Sequence, residues 1–169
     1  MNYIRWVVRK LREQIRWCVI IPFRSFYWRL LVARMGPRTR MLGRVLFIPP
    51  EQVSIGHDCT FNDGVYIAGN APITIGNYVR IAAGVKILSG SLNYSDPMER
   101  RTHKVAPVVI EDGVWIAANA VICPGVVVGR DSVVAAGSTV LKDVPENVVV
   151  FGAPARITQT IERPPASQV

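Results

Sequence analysis

Aliphatic residues recur at every sixth position through much of this sequence. In the C-terminal half, the first position of each hexad is always isoleucine or valine, and the fifth is small or β-branched. The first positions are Ile110, Ile116, Ile122, Val128, Val134 and Val140. The same frame holds over 55–72 and resumes over 75–87. A period of six fits neither a helix nor an alternating strand. It predicts an all-β fold, a parallel β-helix whose short strands form three flat faces with about 18 residues per turn.

Residues 1–44 follow a different period, which is typical of a helix. At about 100° per residue, apolar side chains gather in a stripe on one side. The stripe consists of Ile4, Val7, Val8, Leu11, Ile15, Cys18 and Val19. We expect Pro22 to interrupt this helix and Gly36-Pro37 to end a second one. The chain therefore divides into a helical extension (1–44), a β-helix domain (45–160) with one projecting loop (88–107), and a flexible tail (161–169).

The positive charge is concentrated in the extension. The formal net charge is +8, but residues 1–44 hold eleven basic side chains and one acidic one, and the remainder hold nine and eleven. The chain has neither the Cys2His2 spacing nor the aromatic and basic motif of nucleic-acid readers, so nucleic acid is not expected as a partner. Two compatible interpretations stay open. The stripe packs on the body or a neighbouring subunit, or residues 1–34 lie peripherally on the inner face of a membrane, where basic side chains attract anionic lipid.

The hexad frame fails between Ile87 and Ile110. This polar, charged stretch interrupts a regular coil, so it must project outward, and long loops of this kind usually carry function. The three cysteines lie far apart and form no CxxC pair. That spacing supports neither a disulfide framework nor a zinc site, and it favours a reducing, cytoplasmic compartment.

Several segments resemble the hexapeptide-repeat acyltransferases. They are the hexads, the projecting loop, VWIAANAVICPGVVVG at 114–129 and VLKDVPENVVVFGAPAR at 140–156. The resemblance covers about residues 53–160 and points to the maltose and galactoside O-acetyltransferases and to relatives that acetylate bacterial polysaccharides. It implies a left-handed β-helix and a homotrimer with active sites between subunits. It also implies acetyl-CoA or another acyl-CoA as co-substrate, no metal, and a sugar hydroxyl of a surface polysaccharide or lipid-linked glycan as acceptor.

The resemblance also implies roles for individual residues, when the family pattern is laid on the chain without gaps from Ile55-Gly56. Three residues then fall on the acceptor side of the site: Asn62, the loop's Asn93, and Trp115. Four residues fall on the coenzyme side: Ala118, Ala136, Lys142 and Arg156. The family's catalytic histidine falls on Leu92, and leucine cannot accept a proton.

His103 is the remaining candidate for the general base, because an imidazole exchanges protons near neutral pH. It ends the projecting loop, where Asp96 or Glu99 would assist it. The leucine at position 92 supports a second hypothesis, a family member that has lost catalysis and serves as a binding or assembly subunit. A third class with this fold, the γ-class carbonic anhydrases, needs three histidine ligands for zinc, and one chain holds only two histidines.

Overall fold

The computed structural model describes residues 2–162, with the side chains of Asn2–Ile4 and Trp17 left out. The tail from 163 onward and the side chain of Ile4, which the sequence places in the apolar stripe, therefore lie outside the described part. The chain begins with helix α1 (Asn2–Ile15), a π-helical turn (Arg16–Ile20) and helix α2 (Ile21–Leu31). The helical backbone continues through Ile20 and Ile21, but regular α1 gives way to the π-helical turn just before Pro22. Pro22 itself lies in the first turn of α2, where a proline is tolerated.

Nineteen strands follow in the described residues, and most of them form three sheets of five, seven and five strands. Face A contains β1 (Arg34–Met35), β4 (Val53–Ile55), β7 (Ile73–Ile75), β12 (Val108–Ile110) and β15 (Val127–Val128). Face B contains β2 (Arg40–Met41), β5 (Thr60–Phe61), β8 (Arg80–Ile81), β13 (Trp115–Ile116), β16 (Val133–Val134), β18 (Val148–Gly152) and β19 (Ala155–Thr160). Face C contains β3 (Val45–Ile48), β6 (Val65–Ala68), β9 (Lys86–Leu88), β14 (Val121–Ile122) and β17 (Thr139–Val140). Two further strands, β10 (Gly90–Leu92) and β11 (His103–Val105), form a separate hairpin.

The chain visits faces A, B and C in turn, so the sheets are the sides of a three-sided prism. Neighbouring coils pair in parallel, and equivalent hexad positions stack, as Ile75 does on Ile110 and Ile110 on Val128. Every first-position side chain from Ile110 to Val140 is buried. Each such aliphatic side chain contributes about 1.5–3 kcal/mol by leaving water. The parallel β-helix predicted from the period of six is therefore confirmed.

Tight contacts between coils explain the small residues at the corners. Gly84 lies at a corner with φ +71°, and a Cβ added there would lie 2.1 Å from Oδ1 of Asn119 in the next coil. A side chain at this position would therefore both strain the backbone and collide with its neighbour.

Helix α2 closes the N-terminal end of the prism. The buried Ser25 hydroxyl accepts a hydrogen bond from the backbone N–H of Met41 at 3.0 Å. The Trp28 ring packs edge-on against Phe47, with 4.8 Å between ring centroids. The first coil starts at Arg34, since β1 and β2 pair with β4 and β5. Residues 34–44, which the sequence assigns to the extension, thus belong to the β-helix.

Candidate functional site

The projecting loop is an antiparallel hairpin at the corner where face C turns into face A. Strands β10 and β11 pair so that Leu92 lies directly opposite His103. On either side of this pair the backbone bonds run from Asn93 N–H to Thr102 O and from Ala106 N–H to Ser89 O. Directly opposed side chains share a face of the ladder, with Cβ atoms about 4.5–5.5 Å apart. The only imidazole of the loop therefore lies beside the position that the family's histidine would take.

Asp96 holds the tip of the hairpin together. Its carboxylate accepts hydrogen bonds from the backbone N–H of Thr102 at 2.9 Å, from the Thr102 hydroxyl, and from Asn93 Nδ2 at 2.7 Å. The bonds from Thr102 lower the pKa of Asp96 below its ordinary value. A carboxylate so occupied shapes the loop, and the role of His103 as proton acceptor stays a prediction. The Asn93 amide is also engaged within the loop, so its predicted contact with the acceptor remains a prediction.

A small cavity of about 220 Å³ lies at the hairpin. Ser91, Leu92, Lys104 and Pro124 are among the residues that line it. Ser91 and Lys104 form a cross-strand pair next to the pair of Leu92 and His103. His103 does not line the cavity but its cross-strand partner Leu92 does, so the cavity reaches the position opposite the candidate base.

The predicted acceptor residues Trp115 and Asn62 lie elsewhere on the prism. Trp115 is half exposed on face B, between Arg80 of one neighbouring coil and Val133 of the other. Asn62 follows face B at the next corner, and its side-chain amide donates to the Ile81 carbonyl at 3.2 Å. Since the corner between faces C and A is opposite face B, one chain does not bring Trp115 and His103 together.

The four predicted coenzyme residues are similarly spread over the last coils. Ala118 and Ala136 stack one coil apart at the corner between faces B and C, where the Gly137 N–H donates to the Ala118 carbonyl at 2.9 Å. Lys142 is exposed at the corner between C and A, two coils beyond the root of the hairpin. Arg156 is exposed on β19, opposite Phe151. Both cations are accessible to the phosphates of a coenzyme, which guanidinium and ammonium groups bind by charge-assisted hydrogen bonds.

The other histidine belongs to a corner of the β-helix. His57 Nδ1 lies 2.7 Å from Asp58 Oδ2, and Arg38 binds both oxygens of the same carboxylate, at 2.7 Å and 2.6 Å. The hydrogen bond from Arg38, with a smaller contribution from His57, lowers the pKa of Asp58 to about 2. His57 therefore has a structural partner at this corner.

The three cysteines differ in environment: Cys59 is buried, Cys123 is half-buried and Cys18 is exposed. Burial raises the pKa of both the Cys59 and the Cys123 thiols, which disfavours the nucleophilic thiolate. Within residues 2–162, no group of three His, Cys, Asp or Glu side chains is placed to hold a metal ion.

A prism of hexapeptide coils with one projecting hairpin defines the class of hexapeptide-repeat β-helix proteins. Family models agree: the bacterial transferase hexapeptide (six repeats) matches residues 107–142, and the hexapeptide repeat of succinyl-transferase matches residues 52–89. A hexapeptide-repeat acetyltransferase of Vibrio cholerae, solved with acetyl coenzyme A, superposes with a TM-score of 0.74 at 30% identity. That match covers 96% of this chain and 89% of the other. The fold is thus the left-handed β-helix of these enzymes.

Curated relatives place the chain within one family. The putative colanic acid biosynthesis acetyltransferase WcaF of Escherichia coli is 31% identical over 137 residues, which is 81% of this chain and 74% of the relative. The galactoside O-acetyltransferase of Lactococcus lactis is 33% identical over 129 residues, which is 71% of this chain. The chain belongs to the hexapeptide-repeat acyltransferases, and the resemblance predicted from the sequence is confirmed. The chain spans only 62% of the length of the Lactococcus enzyme.

The pairing of Leu92 with His103 is the main feature that sequence reasoning missed. Ten residues separate the two positions, and the loop contains no short Asn-Gly turn that would mark a hairpin. The available signal was weaker: short runs at both ends of the loop that are compatible with strands, joined by Asn93 and Asp96, which are common turn-forming residues.

Proposed function

We propose that this protein is an acetyl-CoA-dependent O-acetyltransferase that acts on a sugar hydroxyl of a surface polysaccharide or lipid-linked glycan. One observation carries the assignment of its base: His103 lies opposite Leu92 across the hairpin. The family's imidazole is thereby replaced from the neighbouring strand rather than lost. The acetyltransferase relatives support the reaction and its co-substrate.

The chemistry requires one proton acceptor and one place to hold the thioester. His103 removes the proton from the acceptor hydroxyl as its oxygen attacks the thioester carbonyl. When the tetrahedral intermediate collapses, the carbon–sulfur bond breaks and the imidazolium returns the proton to the coenzyme thiolate. Asn62 and Trp115 position the acceptor, with Asn93 of the hairpin. Ala118, Ala136, Lys142 and Arg156 hold the coenzyme.

These residues can act together only if more than one chain contributes to a site. His103 lies at the corner between faces C and A, whereas Trp115 lies on the opposite face of the same prism. A homotrimer solves this problem, because it places the hairpin of one copy against another face of its neighbour. Closed cyclic assemblies of identical chains also repeat the site in each interface.

We propose further that residues 1–34 attach the enzyme peripherally to the inner face of a membrane, on the cytoplasmic side. Much of the apolar stripe of the extension is not covered by the body: Val8, Leu11, Ile15 and, in the π-helical turn, Val19 are each more than half exposed. Arginines flank this stripe, which is the arrangement of an interfacial helix. No helix within the described residues is long and apolar enough to cross a membrane.

The decisive experiment measures thiol release from acetyl-CoA with a panel of saccharides. His103→Ala should lower kcat at least about 100-fold, the contribution expected of a general base, while CoA affinity stays nearly unchanged. His57→Ala removes an imidazole far from the hairpin and serves as the matched control. Leu92→His should restore activity to the His103→Ala protein, since it returns a base to the opposite strand.

A second function, a binding or assembly subunit without catalysis, is favoured by Leu92 alone. It predicts that the wild type binds CoA in calorimetry but releases no thiol with any acceptor. Full activity of His103→Ala would instead show that the base lies outside the hairpin.

A further inference from the structure

A wide cleft of about 910 Å³ separates the helical extension from the body of the β-helix. Its floor is the corner between faces B and C in the first two coils, at Leu42, Gly43 and Asp63. Five arginines line it: Arg5, Arg9, Arg12, Arg16 and Arg24. None of these arginines is among the residues proposed for the coenzyme or the acceptor, although the proposed acceptor residue Asn62 directly precedes Asp63 of the cleft floor.

The arginines converge because of their spacing. Arg5, Arg9, Arg12 and Arg16 are separated by four, three and four residues, so they share one side of the helical segment. Arg24 reaches the same cleft from α2. The Arg16 guanidinium donates to the Leu42 carbonyl at 3.1 Å, which fixes this side of the helix towards the body.

Little negative charge balances these five cations. The acidic groups of the cleft are Glu13 and Asp63. Asp63 already accepts from the backbone N–H of Arg44 at 2.7 Å, and its carboxylate lies 3.6 Å from the Arg44 guanidinium. Across residues 2–162, the ion pairs involve Arg38, Arg44 and His57 but none of the cleft arginines. Clustered like charges repel one another, and a bound anion would relieve that repulsion.

We propose that this cleft binds the phosphate groups of a phosphate or diphosphate ester. Guanidinium groups match phosphate oxygens with two parallel hydrogen bonds, and several of them around one site favour a polyanion over a single carboxylate. Val8, which is 57% exposed, lines the cleft and also belongs to the apolar stripe of α1. A hydrocarbon chain attached to the phosphate therefore has an apolar surface beside it. The headgroup of an anionic lipid and the diphosphate of a lipid-linked glycan share this chemistry.

The inference concerns the same extension as the membrane contact proposed above, but binding of soluble pyrophosphate requires no membrane. A result can therefore contradict the phosphate site without contradicting the membrane contact, and the reverse. The test uses the full chain and three probes: inorganic pyrophosphate in calorimetry, neutral vesicles with and without phosphatidylglycerol in cosedimentation, and neutral vesicles carrying a polyprenyl diphosphate.

The informative variant is the triple change Arg5→Gln, Arg9→Gln and Arg12→Gln. It should weaken binding of the phosphate probe at least about 100-fold, since each hydrogen bond to a charged group is worth about 10-fold or more. The matched control, Arg40→Gln with Lys86→Gln and Arg130→Gln, removes the same charge at exposed positions outside both the cleft and residues 1–34. It should retain binding within a few-fold.

The three probes distinguish a diphosphate ester from a lipid headgroup as the ligand of the cleft. Pyrophosphate or polyprenyl diphosphate bound with preference over phosphatidylglycerol assigns the cleft to a diphosphate. Phosphatidylglycerol vesicles bound without pyrophosphate binding assign it to lipid headgroups. The proposal is overturned if the wild type binds none of the three probes, or if the control variant loses as much affinity as the cleft variant.

Discussion

The β-helix and the helical extension distribute apolar and charged side chains in opposite ways. In the β-helix every hexad sends an aliphatic residue into a closed interior, and its outer surface carries nearly balanced charge. In the extension, α1 directs arginines towards the body and leaves its aliphatic stripe exposed. A helix whose only task was to cover a core would do the reverse. The body thus buries its apolar side chains, whereas the extension leaves its stripe exposed, which supports the proposal that this stripe contacts a membrane surface.

The prediction with the largest expected effect introduces an aspartate into the core of the β-helix and, for comparison, into the exposed stripe of the extension. Ile116 is fully buried between Ile81 and Val134 of neighbouring coils. Ile116→Asp should cost more than about 4 kcal/mol of folding free energy, because it puts an unpaired carboxylate into the core. We expect loss of soluble protein, as measured by expression yield and circular dichroism.

Leu11→Asp in α1 is the matched change. Leu11 is half exposed, so the melting temperature should stay close to that of the wild type, with a change in stability within about 0.5 kcal/mol. A large destabilisation by Leu11→Asp would mean that the stripe is part of the folding core, which would remove the contrast.

The second test addresses the coenzyme side of the body. Arg156→Ala should weaken CoA binding by about 1.5–3 kcal/mol, the usual range for hydrogen bonds to a charged group. Isothermal titration calorimetry measures this change directly. Arg34→Ala, which removes an exposed arginine from the first coil, should leave CoA affinity unaltered. If both variants bind CoA as the wild type does, Arg156 is not a coenzyme ligand.

The third test concerns the contact between helix α2 and the first coil of the β-helix. Ser25→Ala removes the acceptor for the buried Met41 N–H and should cost about 1–3 kcal/mol. Urea unfolding gives the value, and Ser54→Ala on the outer side of β4 provides the comparison. Equal stability of the two variants would show that α2 contributes little to closing the prism.

The β-helix could be predicted from the sequence more completely than the extension, for a physical reason. The hexad period is a local property that the closed prism must obey, so the core positions from Ile110 to Val140 follow from it directly. The direction of α1 depends instead on a balance between the exposed stripe and contacts such as Arg16 with the Leu42 carbonyl, which no periodicity reveals. The candidate base posed a similar problem. The position of His103 depends on the register of a hairpin, and that register became visible only in three dimensions.

The smallest expected effect concerns acid stability at the corner that holds His57. Asp58 has its pKa lowered to about 2 in the folded protein, chiefly by the hydrogen bond from Arg38. A carboxylate whose pKa is lower when folded stabilises the protein above its unfolded pKa, and it loses that contribution as the pH falls from about 4 to about 2. Asp58→Asn should therefore lower the melting temperature slightly at neutral pH, and the difference from the wild type should shrink below about pH 4 and vanish only below about pH 2. Glu51→Gln, at an exposed position, should show no such pH-dependent difference. A gap between wild type and Asp58→Asn that does not shrink between neutral pH and about pH 2 would mean that shape at the corner, rather than the charge, makes the contribution.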